Sequence, residues 1–207
     1  MNILIVVATK LELRSLKQFP SENIDILITG IGTALTIFKL MQQLENKKYD
    51  LILNIGIAGS FSDKLKLGDI VIVEAETFGD LGFEEENSFI PIDNSELGQL
   101  QRNSFMNSFN LPVISDLPRV RSITVNTSTG KNTSVNMRKS LFNADIENME
   151  GAGVFLVCSE KNIPFLEIRA ISNRIESRNT EHWNIPLAVD KLGERTNLLI
   201  NNLLAND

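Results

Sequence analysis

The chain has 207 residues, 43% of them hydrophobic, and a net charge of −6. That length buries roughly 70% of the unfolded surface, which fits one domain over residues 1–207 with a single core. The acidic balance disfavours nucleic acid as a partner, because phosphate backbones are held by clustered Lys and Arg. The longest apolar run, Ile3 to Ala8, falls far short of the roughly 20 residues that cross a bilayer, and Met1-Asn2 lacks the basic start of a signal peptide. With one cysteine and one histidine there is no disulfide and no zinc set; Cys158 sits in an apolar stretch and reads as a buried, inert thiol. A soluble, cytoplasmic protein without metal or cofactor is expected.

Residues 2–8 form an Ile- and Val-rich run that reads as a buried strand, and Leu11, Leu13 and Leu16 place a short helix after it. Residues 24–29 repeat the strand, Gly30-Ile31-Gly32 makes a tight turn, and residues 33–46 predict a helix with Leu35, Phe38, Leu40, Met41 and Leu44 on its apolar side. Residues 50–55 are a third apolar strand, ending in the glycine-bearing loop Gly56 to Ser60. Residues 68–77 read as a longer strand. Residues 79–94 carry Asp80, Glu84, Glu85 and Glu86 and read as a surface loop, either a solvated face or a lid or subunit contact.

Ser95 N-caps a predicted helix through Phe109, residues 119–125 alternate like a strand, and residues 133–142 are helical. The last third contains a short strand (145–149), a helix (150–161), a strongly apolar strand (164–171), a polar loop (172–183) and a closing helix (185–204). Apolar strands alternating with helices predict an α/β fold of three layers, with a mixed, largely parallel central sheet flanked by helices on both faces.

In open parallel sheets ligands bind beyond the carboxyl ends of the strands. Glu12 follows the first strand there, Gly56 to Ser60 the third, Met149-Glu150 the short late one and Ser172-Asn173 the last. Glu12 is either a general base that takes a proton from an attacking water or a first-turn glutamate favoured by a helix dipole. Glu150 suits two ribose hydroxyls, being acceptor-only when ionised, or it caps its own helix. Asn173 offers a donor and an acceptor, which can pair with a ring N–H and a carbonyl of a hypoxanthine-type base, or it is a turn residue. Gly30-Ile31-Gly32 is part of a dinucleotide fingerprint, with Leu35 where the third glycine belongs; on that reading the chain is a non-catalytic nucleotide-binding module. His182 and Trp183 read as packing residues, with a ligand contact as the alternative.

Together and in order, Ala8-Thr9-Lys10-Leu11-Glu12, Gly30-Ile31-Gly32, Leu53 to Ser60, Glu147 to Ala152 and Arg169-Ala170-Ile171-Ser172-Asn173 resemble the nucleoside phosphorylase and nucleosidase superfamily. Its members include purine nucleoside phosphorylases, methylthioadenosine/S-adenosylhomocysteine nucleosidases and futalosine hydrolases. The resemblance implies that Glu12 is the general base, that Met149 and Glu150 lie under and bind the ribose, that Ala58-Gly59 lies beside the sugar, and that residues 122–126 give backbone contacts to the base. It also implies a homodimer or larger homo-oligomer with a small purine nucleoside as its partner.

Two departures refine that implication. Phosphorylases place an arginine and a serine where Asn54 and Ile57 stand here, and losing those donors forfeits roughly 1.5 to 3 kcal/mol per charge-assisted hydrogen bond to phosphate. Adenine-specific nucleosidases carry an aspartate where this chain has Asn173, which points to a 6-oxopurine. The stretch from Ser172 to Trp183 resembles futalosine hydrolases, which implies hydrolysis of futalosine to hypoxanthine and dehypoxanthine futalosine, a step of menaquinone biosynthesis. Asn173 would then stabilise charge on the leaving base, Ser172 would lie beside it, and Arg174 or Arg178 would anchor the benzoate.

Overall fold

The computed structural model describes residues 1–17, 22–86, 88–96, 103–107 and 114–205. Strand β1 (Ile3–Val7) is buried at every position because it lies between β2 (Ile24–Ile28) and β3 (Leu51–Ser60), parallel to both. Its side chains alternate between two cores. Leu4 and Val6 join Ile52 against α1 (Thr33–Asn46) and α3 (Gly151–Lys161), while Ile3, Ile5 and Val7 join Leu51, Leu53 and Ile55 against α4 (Ile185–Ala205). Helices on both faces explain why the strand reads as one apolar run. Cys158 is fully buried among those residues, and burial pushes its thiol up, away from the reactive thiolate.

The sheet then closes on itself. β3 pairs in parallel with β10 (Phe165–Arg174), β10 antiparallel with β4 (Ile70–Phe78), and β4 in parallel with β8 (Arg119–Thr124). β8 pairs in parallel with β9 (Ile146–Asn148), which returns antiparallel to β3 through Gly59↔Glu147 and Ser60↔Ile146. The α/β class, the mixed sheet and the helices on both faces are present. The expected open middle layer is corrected to a five-strand ring with β1 and β2 extending from β3.

Some elements differ from expectation. Residues 10–15 form tight turns and not an α-helix: the amides of Leu13, Arg14 and Leu16 donate to the carbonyls of Lys10, Leu11 and Leu13, three residues back. Segment 79–94 holds a hairpin, β5 (Gly82–Glu85) with β6 (Ser88–Pro91), followed by a 3-10 turn at Ile92–Asn94. Within the expected helix 95–109, Ser104–Met106 is an edge strand, β7, on β4; Phe105 points inward and meets Phe78 edge-on. Residues 97–102 and 108–109 of that helix lie outside the described residues. Helix α2 (Asn132–Phe142) is where the pattern put it. No helix among the described residues is long and apolar enough to cross a membrane.

Candidate active site

Glu12 sits just past β1, buried, and its carboxylate is fixed by three donors. Thr9 N (2.9 Å) and Thr9 Oγ1 (2.8 Å) donate to Oε2, and Ile57 N (3.2 Å) donates to Oε1. The stretch from Gly56 to Ser60, read from sequence as a loop, is the second half of β3. Glycine is required at position 56 by space: a Cβ there would lie 2.2 Å from Arg169 Nη1 and 2.9 Å from Glu12 Oε1. Glu12 and Arg169 therefore meet over a bare stretch of backbone.

Arg169 is 1% exposed and links the two ends of the site. Its Nε donates to Glu167 Oε1 (2.8 Å), Nη2 donates to Asn148 Oδ1 (3.3 Å), and Nη1 lies 3.7 Å from Glu150 Oε2. Burial alone would favour neutral guanidine, but Glu167 and Glu150 outweigh it and raise the pKa, so Arg169 stays charged. Asn148 Oδ1 also accepts the amides of Glu150 (2.9 Å) and Gly151 (2.7 Å), which makes Asn148 the side-chain cap of α3. Glu150 is thus held in place, and it does not cap the helix itself.

Glu150 Oε1 accepts Gly32 N at 3.0 Å, at the start of α1. The amide that a phosphate-binding turn would present is already spent on this carboxylate, which argues against the nucleotide-module reading. Burial pushes the Glu150 carboxyl up, the Arg169 charge and the Gly32 amide pull it back, and nearby Glu12 and Glu167 add to the rise. Beneath lies Glu76, fully buried, bonded to Thr124 (2.8 Å) and Asn148; desolvation, then the Glu167 charge, pushes it well up.

These groups border a cavity of about 310 Å³. Seven of the eight residues expected from sequence line it: Glu12, Ala58, Gly59, Met149, Glu150, Ser172 and Asn173. Arg174 is the exception. Its guanidinium donates to Ser62 O (2.6 Å) and pairs with Asp63 (3.0 Å), away from the lining. The expected loop 172–183 begins later than predicted, because β10 runs on through Arg174 and so carries Ser172 and Asn173 on a strand. Ser172 Oγ donates to Asn173 Oδ1 (2.8 Å), and Asn173 Nδ2 donates to Arg174 O (2.9 Å).

Residues 122–126 do not line the cavity. Ser122 and Thr124 are buried below it on Asn148 and Glu76, and the wall is made instead by Ser128 and Thr129. Sequence reasoning also missed Glu147 and Ile175 as lining residues. Trp183 does line the cavity, with the Arg178 guanidinium 4.9 Å from its ring centroid, whereas His182 pairs with Glu176 at the surface. No group of three or more His, Cys, Asp or Glu among the described residues is placed to hold a metal ion.

The Phosphorylase superfamily profile matches residues 16–205. A futalosine hydrolase of Acidothermus cellulolyticus is 31% identical over 180 residues, covering 81% of this chain and 71% of that protein. One from Streptomyces coelicolor is 28% identical over 186 residues, covering 81% and 74%. Among solved structures, a futalosine hydrolase of Helicobacter pylori aligns with a TM-score of 0.79 at 16% identity, over 97% of each chain. A 5'-methylthioadenosine/S-adenosylhomocysteine nucleosidase from Colwellia psychrerythraea, in complex with adenine, aligns at 0.78 and 20% identity over 99% of this chain and 95% of that one. At such identities the two structures speak to the fold alone. The chain belongs to the phosphorylase superfamily, in the family of the futalosine hydrolases.

Proposed function

We propose that this chain is an N-glycosyl hydrolase that cleaves futalosine with water and releases hypoxanthine. The observation that carries the reading is the cavity lining, which among the described residues holds the carboxylates of Glu12, Glu147 and Glu150 and no Lys or Arg. A phosphate nucleophile would meet negative charge there without a charge-assisted donor. Asn54, at the place of the phosphorylase arginine, is buried and donates to Glu167 (2.9 Å), and Ile57 presents an apolar side chain to the cavity. Water fits that environment.

In the proposed reaction Glu12, fixed by Thr9 and Ile57, takes the proton of the attacking water as the sugar gains oxocarbenium character. Glu150 accepts the ribose hydroxyls above Met149, and the spare N–H of Asn173 stabilises charge growing on the departing base. A purine is a better leaving group than an alkoxide, so one base and one amide stand in for the paired carboxylates of ordinary glycosidases. Ala58, Gly59 and Ser172 form the floor beside sugar and base. Arg174 is committed to the Ser62-Asp63 turn, which leaves Arg178, over Trp183, as the cation for the benzoate.

A methylthioadenosine-type nucleosidase is the second reading, favoured if adenine nucleosides outcompete futalosine. One panel tests both: futalosine, inosine and methylthioadenosine are incubated with and without phosphate, and the liberated bases are separated by chromatography. Hypoxanthine from futalosine without phosphate is expected; a strict need for phosphate, or a preference for methylthioadenosine, would overturn the proposal. The exposed Ile31, Leu35 and Phe38 beside the cavity support a homo-oligomer, for which sedimentation should give at least a dimer.

A further inference from the structure

We infer that Glu167, a buried side chain outside the cavity lining, is a positioning residue: it holds the Arg169 guanidinium between Glu12 and Glu150, so that one buried cation serves both working carboxylates. The inference rests on the cavity being a nucleoside site. Glu167 and Arg169 stand two residues apart on β10 and so project from the same face of the strand. Across the ladder, Glu167 stands opposite Asn54 of β3, and Arg169 opposite Gly56. Asn54 Nδ2 donates to Glu167 Oε2 (2.9 Å), which leaves Oε1 to accept Arg169 Nε (2.8 Å). The guanidinium is a rigid plane, so fixing its Nε–H aims both terminal nitrogens. Gly56 gives them room: Nη1 lies 2.2 Å and Glu12 Oε1 2.9 Å from the point where a Cβ would stand there.

The other partners of Arg169 hold it less firmly. Glu150 Oε2 stands 3.7 Å from Nη1, and Asn148 Oδ1, 3.3 Å from Nη2, already accepts two backbone amides. Four carboxyl groups surround this one cation: Glu12 after β1, Glu76 on β4, Glu150 at the head of α3 and Glu167 on β10. Glu147, the remaining carboxylate of the cavity lining, has its own cation in Arg138 (3.0 Å). Glu76 Oε1 lies 2.2 Å, and the two Glu167 oxygens 2.7 and 2.8 Å, from the point where a Cβ on Gly151 would stand. Two carboxyl groups that close keep a proton on one of them, and burial together with the Glu167 charge leaves it on Glu76. Glu167 is thus the partner that compensates Arg169 inside the protein without drawing it fully onto Glu150 or Glu12. The same charge, with that of Glu12, adds to the rise of the Glu150 carboxyl that burial begins and that Arg169 and Gly32 oppose.

The test uses 9-deazainosine and 9-deazaadenosine, ribonucleosides whose C–C glycosidic bond water does not cut, so binding is read apart from turnover. Calorimetry over a pH series compares the protein with Glu167→Gln, Glu167→Leu and Glu76→Gln. Affinity should fall on acidification as Glu150 takes up a proton. Glu167→Gln keeps an oxygen for Arg169 Nε but removes one negative charge, so that fall should move to lower pH by roughly one pH unit. Glu76→Gln replaces an acid already uncharged there and should not move it. Glu167→Leu also loses the aim of Arg169, and at neutral pH it should bind about tenfold to a hundredfold more weakly than Glu167→Gln, the range for one hydrogen bond to a charged group. An unmoved curve for Glu167→Gln, an equal shift in Glu76→Gln, or a weakening by Glu167→Gln that is uniform across pH overturns the inference. If neither Glu167 variant folds, nitrogen-15 NMR of the unaltered protein decides: a slowly exchanging Arg169 Nε–H supports the inference, and a rapidly exchanging one overturns it. If neither nucleoside binds, the inference falls with the nucleoside site. The expected shift without hypoxanthine release from futalosine would sink the proposed reaction and leave Glu167 in its role. Cleavage of futalosine with an unmoved curve would do the reverse.

Discussion

Replacing Glu12 by glutamine is the most direct probe of the proposed chemistry, and the structure sets its size. The carboxylate accepts three hydrogen bonds and donates none, whereas an amide has only one accepting end. The amide oxygen will stay on Thr9, where two short bonds are made, and the NH2 group will face the Ile57 N–H, which was bonded at 3.2 Å. One long bond is lost and a buried donor is left unpaired, costing about 1 to 3 kcal/mol. For a chain of this length, Tm should fall by roughly 2 to 4 °C per kcal/mol, with the fold retained. Turnover should fall further, by about 100-fold or more, since an amide cannot take a proton from water. The assay is hypoxanthine released from futalosine under saturating substrate, alongside a thermal melt. An unchanged kcat would refute the general-base role whatever the melt shows, and loss of the folded state would mean that the carboxylate is chiefly structural.

Three further outcomes follow from the same network. Glu150 must be ionised to accept ribose hydroxyls, and burial raises its pKa above the ordinary 4.5, so KM should climb on acidification at a pH higher than 4.5; a KM flat down to that pH would contradict the assignment. Glu76 has a pKa well above 4.5, so the folded chain holds its proton more tightly than the unfolded chain does. Stability should then decline as pH rises from 4.5 towards the folded value, by up to about 1.4 kcal/mol per pH unit. The uncharged Glu76→Gln variant should escape that decline, and a Tm difference from the parent that stays constant with pH would rule it out. Gly56→Ala drives a methyl to 2.2 Å from Arg169 Nη1, and overpacking of this kind costs about 1 to 3 kcal/mol. Its melt should drop along with kcat; an unshifted melt would mean that Arg169 can move.

Much of this was readable in the chain. Residues 33–46 gave their helix to the residue, because Leu40 and the apolar positions around it repeat at helical spacing. The meeting of Glu12, Glu150 and Asn173 could be expected from strand ends alone. What escaped the reading was governed by distant partners. Gly56 and Gly59 look like loop residues, yet they sit in β3 because Arg169 and Asn173 need the room. Ser172 to Arg174 look like a polar loop, yet β10 continues through them because their polar faces turn to the cavity and to Ser62. The closure of the ring left no local trace, since it depends on two residue pairs between β3 and β9.

That seam has a consequence for how the protein reaches its working state. Gly59 and Glu147, which close it, are far apart along the chain, so the entropy of closing a long loop must be met before their contact repays it. Refolding followed by circular dichroism should therefore recover helix and strand signal ahead of catalytic activity. A molecule that can turn over its substrate has, by that fact, finished folding.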